Sequence, residues 1–396
     1  MYNMLLLSKD TPVAEIVDGK VRPIVPARMP IYLQRDGKIE TWLKDRAIDA
    51  HRTNSRLLKR TLRLESTDDI TTVLSVNAAT VTDNFWVKPI DDTTTRHADI
   101  KFNANYFDKL ALARDGSQFG QKPSRTPELT NTGSFEKCWR LDDGKWWMLK
   151  AGKNEELVSE LAAYYIGKKL DLDIALYQPE GPFIKSKDFT ENAQVDLEPA
   201  KAIIDEKTGW VNIYKHLQEY DQSIADAYVQ MCYFDALTYN IDRHEFNFGV
   251  LRNSDTGKVE SLAPLFDHNL AMVALGYPDE MPEREEWLTD NLAQLLDHTG
   301  QRLNVTSLSY EDIIECINNA PWPLPPMASK RNPTEYTARL VMDRQENLER
   351  HCPQLAFRRE NNRDKELDAV LDAALATMPD LPEEDEEQKK TGDLGE

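Results

Sequence analysis

The stretch that decides the fold reads Asn240-Ile241-Asp242-Arg243-His244-Glu245-Phe246-Asn247-Phe248-Gly249 and, after a short excursion, Leu262-Ala263-Pro264-Leu265-Phe266-Asp267-His268. Asp242 and Asn247 share one polar loop, and Asp267 closes the apolar run beyond it. Just upstream, Ser223 to Tyr239 places Ile224, Ala227, Tyr228, Met231, Cys232, Phe234 and Leu237 close together with few charges between them. A helix that is apolar on most sides is a buried one. The pattern predicts a rigid helix that hands the chain directly to Asp242. Arg252 to Lys258 reads as the polar turn of a hairpin, with Leu262–Phe266 as a short strand ending at Asp267.

Transfer of a phosphoryl group from ATP needs such a set: an Asp to take the acceptor's hydroxyl proton, an Asn to help hold metal, and a second Asp on the metal that bridges the phosphates. The catalytic loop of protein kinases has the same Asp-to-Asn spacing as Asp242 to Asn247. The residues therefore point to an ATP-dependent kinase with Asp242 as base and Asn247 and Asp267 on Mg2+. Arg243 either stabilises the ionised Asp242 or ties the loop to the helix, and His244 reads as a hydrogen-bond donor rather than a second base. No HExxH, GxSxG or GxxxxGK[ST] occurs, which weighs against zinc-protease, α/β-hydrolase and P-loop chemistry.

Working outward, Cys138–Leu141 and Lys145–Leu149 flank Asp142-Asp143-Gly144, an Asp-Gly hairpin signal. Lys150 ends the second strand. A helix from Glu155 to Leu170 follows and carries Glu160, and Ile174–Gln178 and Pro182–Lys185 read as two more strands. A strand-terminal Lys neutralises phosphate oxygens, and a helical Glu fixes its flexible stem. Downstream of Asp267, Trp287–Leu296, Tyr310–Asn318 and Thr334–Cys352 read as helices. At the start of the chain, Met4–Ser8, Val13–Val17, Val21–Val25 and Pro30–Gln34 read as short strands, followed by one long helix from Ile39 to Leu64.

Composition narrows the class. The chain has 396 residues, 40% hydrophobic and 29% charged, enough for a substantial core. No apolar run is long enough to span a membrane, and the N-terminus has no basic region of the kind that opens a secretion signal. Cys138, Cys232, Cys316 and Cys352 are scattered without a CxxC, which suits a reducing cytoplasm. A net charge of −20 makes the chain a poor general binder of nucleic acid. The exception is a run over 44–63 with Lys44, Arg46, Arg52, Arg56, Lys59, Arg60 and Arg63, which reads as a solvated helix face or a docking surface for nucleic acid or an acidic partner.

Asn-x-Asp-Arg-His-x-x-Asn-x-Gly followed by Leu-Ala-Pro-x-x-Asp resembles the C-lobe signature of the HipA family, the toxin-type serine/threonine kinases of bacterial toxin–antitoxin modules and their stand-alone relatives. Thr130-x-x-Gly133-x-x-Glu136-Lys137 is similar to the family's phosphate-binding loop, and Ser159-Glu160 to its lobe helix; together the likeness covers roughly 130–269. The loop departs from the family where Ser134 and Phe135 follow Gly133 and where Thr130 stands in place of a phosphorylatable Ser. The resemblance implies Lys150 and Glu160 on the ATP phosphates, with Thr130, Gly133, Ser134 and Lys137 around the nucleotide. It also implies Asp242 as base, Asn247 and Asp267 on Mg2+, a Ser/Thr acceptor on a protein substrate, and a regulatory or antitoxin partner.

The expected architecture is an α+β, two-lobed, protein-kinase-like fold with a β-rich N-lobe, a helical C-lobe and an extra N-terminal domain. Its parts are an N-terminal domain over 1–110, a linker over 111–127, the N-lobe over 128–192, the C-lobe over 193–355, a C-terminal helix over 356–378 and a disordered acidic tail over 379–396. Two other functions fit the same residues: a pseudokinase that binds partners without transfer, and a same-fold enzyme that phosphorylates a small molecule or lipid or transfers AMP.

Overall fold

Leu6 and Leu7 lie side by side on one strand and feed two different cores, which sets the plan of the molecule. In the computed structural model, which describes residues 3–49, 52, 55–62, 64, 68–113, 125–205, 208–277 and 287–358, an antiparallel sheet opens the chain. Its order is Lys20–Pro23, Thr11–Val17, Met4–Ser8, Phe85–Pro89. Successive side chains on a strand point to opposite faces. Leu6, Phe85 and Val87 accordingly join a cluster with Tyr228, Phe234 and Leu292, while Leu7 and Trp86 join one with Trp139, Trp146 and Leu149. The N-terminal sheet is thus packed between two bodies. The pairing shifts between Leu6 and Leu7, where Pro12 has no N–H to give to the ladder.

The first body is a four-stranded antiparallel sheet ordered Lys137–Asp142, Lys145–Lys150, Phe183–Lys187, Tyr177–Glu180, with the helix Asn154–Lys169 packed on it. Asp143 and Gly144 both have positive φ, as the two-residue turn requires. The second body holds the helices Trp210–Gln218, Gln222–Thr238, Trp287–Thr299, Tyr310–Asn318 and Pro333–His351. It also carries an antiparallel sheet of Val195–Pro199, Gly249–Asn253 and Val259–Leu262. A parallel bridge from Ile174 to Leu265 links the two bodies beside Asp267.

Several local expectations change. Pro30–Gln34 opens a short helix, Ile31–Arg35, whose first N–H, that of Ile31, donates to the Glu198 carboxylate at 2.7 Å. The long helix over 39–64 is two pieces, Ile39–Lys44 and Ser55–Thr61. Two of its cations turn inward and break the expected basic face. Arg46 pairs with Asp83 at 2.9 Å, and Arg52 is fully buried against Glu128 at 3.3 Å. Among the described residues the basic run over 44–63 is therefore not one continuous helix face. Val195–Pro199 is a strand whose Asp196 and Glu198 are buried on partners distant in sequence. The strand expected over Leu262–Phe266 ends at Leu262, and only the Leu265 bridge continues it past Pro264. At the C-terminal end, Leu355–Arg358 pairs in parallel with Leu303–Thr306, so residues 356–358 do not start a helix. The rest of the expected helix, the acidic tail and most of the 111–127 linker lie outside the described residues. No helix among the described residues is long and apolar enough to cross a membrane.

Candidate active site

The helix Gln222–Thr238 is capped by the Asp221 carboxylate and ends on Tyr239 in the left-handed conformation. That reversal turns the chain sharply into 240–248. The loop then closes on itself. The His244 N–H donates to the Asp242 carbonyl at 2.9 Å, and Asn247 Nδ2 donates to the same carbonyl at 2.8 Å and to Asp242 Oδ2 at 3.3 Å. Asn247 thus spends its amide nitrogen on Asp242, which leaves its Oδ1 as a donor atom for a ligand. Asp242 is half-buried. Burial raises its carboxyl above the usual range, aided by the Asp267 charge and opposed by His244 and Arg243.

Arg243 joins this loop to the Asp267 segment. Its guanidinium makes a two-pronged pair with Asp235, 2.9 Å on each arm, and donates to the carbonyls of Asn247 and Phe266, the latter at 2.6 Å. It also reaches His268 Nε2 at 2.9 Å. Burial and the Arg243 charge push the His268 imidazolium well below its ordinary range. The ring is therefore neutral, with Nε2 as acceptor, and its 4.0 Å approach to Asp235 is not an ion pair.

Opposite the loop, Lys150 ends its strand as the sequence predicts. Its Nζ lies 2.6 Å from Asp267 Oδ1 and 3.2 Å from Glu160 Oε2. Burial alone would lower the Lys150 pKa; Asp267 and Glu160 outweigh it and hold the ammonium well above its usual value. Reciprocally, burial would raise Asp267, but Lys150 and Lys137 pull it below the ordinary carboxylate range. Glu160, fully buried on the helix Asn154–Lys169, accepts from the His268 N–H at 3.0 Å through its other oxygen. Tyr177 donates nothing to Asp267; its hydroxyl oxygen accepts the Asp267 N–H at 3.1 Å. One carboxylate therefore orients both the lysine and the backbone that presents Asp267.

The loop over 131–136 forms the roof of the cleft. Gly133 adopts φ +96°, a conformation that strains any other residue, and the Lys137 ammonium lies against it. Burial lowers Lys137 to about 8, with Asp267 opposing and Lys150 adding to the shift. Ser134 is exposed at the loop's tip. Thr130 lines the cleft from a buried position, and its hydroxyl donates to the Ala79 carbonyl at 2.7 Å. The cleft has a volume of about 690 Å3, and its walls include Lys137, Lys150, Asn247 and Asp267 together with Phe189 and, from the strand Val195–Pro199, Leu197. The N-terminal sheet region contributes Trp42, Ile48 and Val81 to the same wall.

The chemistry of the donors suits a nucleotide with a hard cation. Among the described residues no cluster of three or more His, Cys, Asp or Glu is placed to hold a metal unaided. Mg2+ is ordinarily held by one or two carboxylates together with substrate phosphates. The free oxygens of Asp267 and Asn247 beside two lysines fit that pattern. The sequence singled out Lys150, Glu160, Asp242, Asn247 and Asp267; the fold places Lys150, Asp242, Asn247 and Asp267 on the wall of one cleft and buries Glu160 behind Lys150. Asp235 and His268 were missed, although an acid near the end of an otherwise apolar helix was a visible signal.

No protein-family model matches the chain, and no curated protein matches its sequence. Among solved structures, a proinflammatory kinase of Helicobacter pylori, CtkA, aligns with 53% of this chain and 90% of its own at 18% identity and a TM-score of 0.37. HipA of Shewanella oneidensis MR-1, solved in a toxin–antitoxin complex with HipB and operator DNA, aligns with 88% of this chain and 97% of its own at 12% identity and a TM-score of 0.53. The fold is that of HipA-like kinases: α+β and two-lobed, with a β-rich N-lobe, a helical C-lobe and an additional N-terminal unit.

Proposed function

We propose that the chain is a Mg-ATP-dependent serine/threonine protein kinase of HipA type. The observation that carries the reading is the Lys150 ammonium held between Glu160 and Asp267, across the cleft from the Asp242–Asn247 pair. Lys150 and Lys137 take the phosphates under the 131–136 loop. Asp267 and Asn247 would supply oxygens to Mg2+, which when bound would neutralise charge on the phosphates. Asp242 receives the acceptor's hydroxyl proton, and its raised pKa makes it a better base than an ordinary surface aspartate. Positioning and electrostatics do most of the work in such a transfer. A regulatory protein partner of antitoxin type is part of the same proposal, by analogy with the HipB-bound neighbour.

Purified chain incubated with Mg2+ and ATP labelled at the γ-phosphate is expected to label itself or a protein in a cell extract on Ser or Thr. Labelling from ATP labelled at the α-phosphate, with none from the γ-phosphate, would assign AMP transfer. Tight nucleotide binding with no transfer to any acceptor would assign a binding module.

The pH profile has a worked sign. Asp242 serves as base only when ionised, so kcat falls as pH drops through its pKa, above the usual aspartate range. Lys137 holds phosphate only when protonated, so kcat/KM for ATP falls as pH rises through about 8. Removing the ammonium in Lys137→Met is expected to erase the alkaline limb of kcat/KM and leave the acid limb in place. An alkaline limb that survives the substitution sinks the assignment.

A further inference from the structure

We propose that the N-terminal unit is a working part of the nucleotide site, because Arg52 closes the neck of the phosphate loop. The inference rests on the kinase reading above and adds a role for residues outside both lobes. The loop over 131–136 leaves a short helical turn, Pro127–Thr130, and re-enters the strand Lys137–Asp142. Arg52 comes from the N-terminal unit and is 1% exposed. Its Nη1 donates to the Asn131 carbonyl at 3.2 Å, and its Nη2 donates to the Lys137 carbonyl. One guanidinium therefore holds the residue on which the loop begins and the residue on which it returns.

The third prong of the fork meets Glu128. That carboxylate is fully buried and accepts four donors: Arg52 at 3.3 Å, Asn131 Nδ2 at 3.2 Å, Asn105 Nδ2 at 2.9 Å and the Trp139 N–H at 2.7 Å. Burial raises its pKa, and Arg52 opposes the shift. Two of those donors, Arg52 and Asn105, belong to the N-terminal unit; the other two flank the loop. Two further ties run the same way. The Ile48 N–H donates to the Leu129 carbonyl at 2.9 Å, and Thr130 donates to Ala79.

A buried ion pair is weak evidence for stability, since desolvation offsets the attraction. Its contribution here is geometric. A planar five-donor fork can satisfy two carbonyls and a carboxylate at fixed separations, and an ammonium cannot. The same clamp fixes the backbone of Lys137, whose ammonium lies in the cleft against Gly133. Arg52 is thus a positioning residue: it never touches the nucleotide, and it sets the width of the loop that does.

The test is Arg52→Lys, which keeps a buried cation against Glu128 but loses the bridge. Binding of ATP and of adenosine is measured by calorimetry on the full chain, alongside kcat and KM. Loss of the two carbonyl contacts is expected to weaken ATP binding by roughly 10- to 100-fold. Adenosine affinity stays level, because the loop serves the phosphates and not the base. A merely structural role would lower the melting temperature and move both ligands together. Glu128→Gln provides a second arm should Arg52→Lys fail to fold; it weakens the hold on Arg52 and is expected to shift ATP binding in the same direction by a smaller factor. Unchanged ATP affinity in either folded variant, or equal loss for ATP and adenosine, overturns the clamp while the kinase reading stands. Failure of the wild-type chain to bind ATP at all overturns both.

Discussion

Asp242→Asn is expected to lower kcat by roughly 10²- to 10⁴-fold, the usual contribution of a positioned general base, with a much smaller change in Mg-nucleotide affinity. The substitution is close to isosteric. Asn247 Nδ2 keeps its 2.8 Å bond to the backbone carbonyl of residue 242, and an amide oxygen replaces the carboxylate oxygen now at 3.3 Å. The loop geometry therefore survives while the proton acceptor is lost. Removing the negative charge also relieves repulsion with Asp267, so nucleotide binding has no electrostatic reason to weaken. His244→Ala is the control, because the exposed imidazole beside Asp242 is the nearest rival base. Single-turnover rates for both variants decide the matter: a folded Asp242→Asn protein with wild-type turnover, or a dead His244→Ala protein, moves the base elsewhere.

The sequence made Asp242, Asn247 and Asp267 legible because their relation is local. A short loop and the strand after it fix their order and approximate separation whatever the rest of the chain does. Lys150 and Glu160 were legible for a related reason: a strand end and a helical face each restrict where one side chain points. The interior ties were not. Nothing local marks Asp196 and Glu198 as buried, because their partners, Asn84 and Arg252, are far away in the chain. Likewise Arg46 and Arg52 looked like a basic helix face until Asp83 and Glu128 drew them inward. Helical and strand periodicity report which residues share a face. They carry no information on which charge finds a buried counter-charge, and that is where the N-terminal unit meets the site.

Arg243→Met is expected to cost about 3–5 kcal/mol of stability, since it leaves Asp235 buried without its cation. Both partners lie deep in the fold, with side-chain exposures of 7% and 1%. The Asp235 carboxylate would keep the neutral Asn240 Nδ2 bond at 2.8 Å in place of a cation. The informative variant is the double one, Arg243→Met with Asp235→Leu. Replacing a buried ion pair by apolar groups of similar volume is often neutral, so much of the lost stability is expected to return. Activity is not. Arg243 also bridges the carbonyls of Asn247 and Phe266, which belong to the loop carrying Asp242 and to the segment carrying Asp267. Without that bridge the two segments lose their common anchor, and misplacement by about 1 Å is enough to cost on the order of 100-fold in rate. Urea midpoints and kcat measured across the cycle separate the two roles. Recovery of stability without recovery of kcat identifies Arg243 as the part that holds base and metal site in register; recovery of both would reduce it to a packing residue.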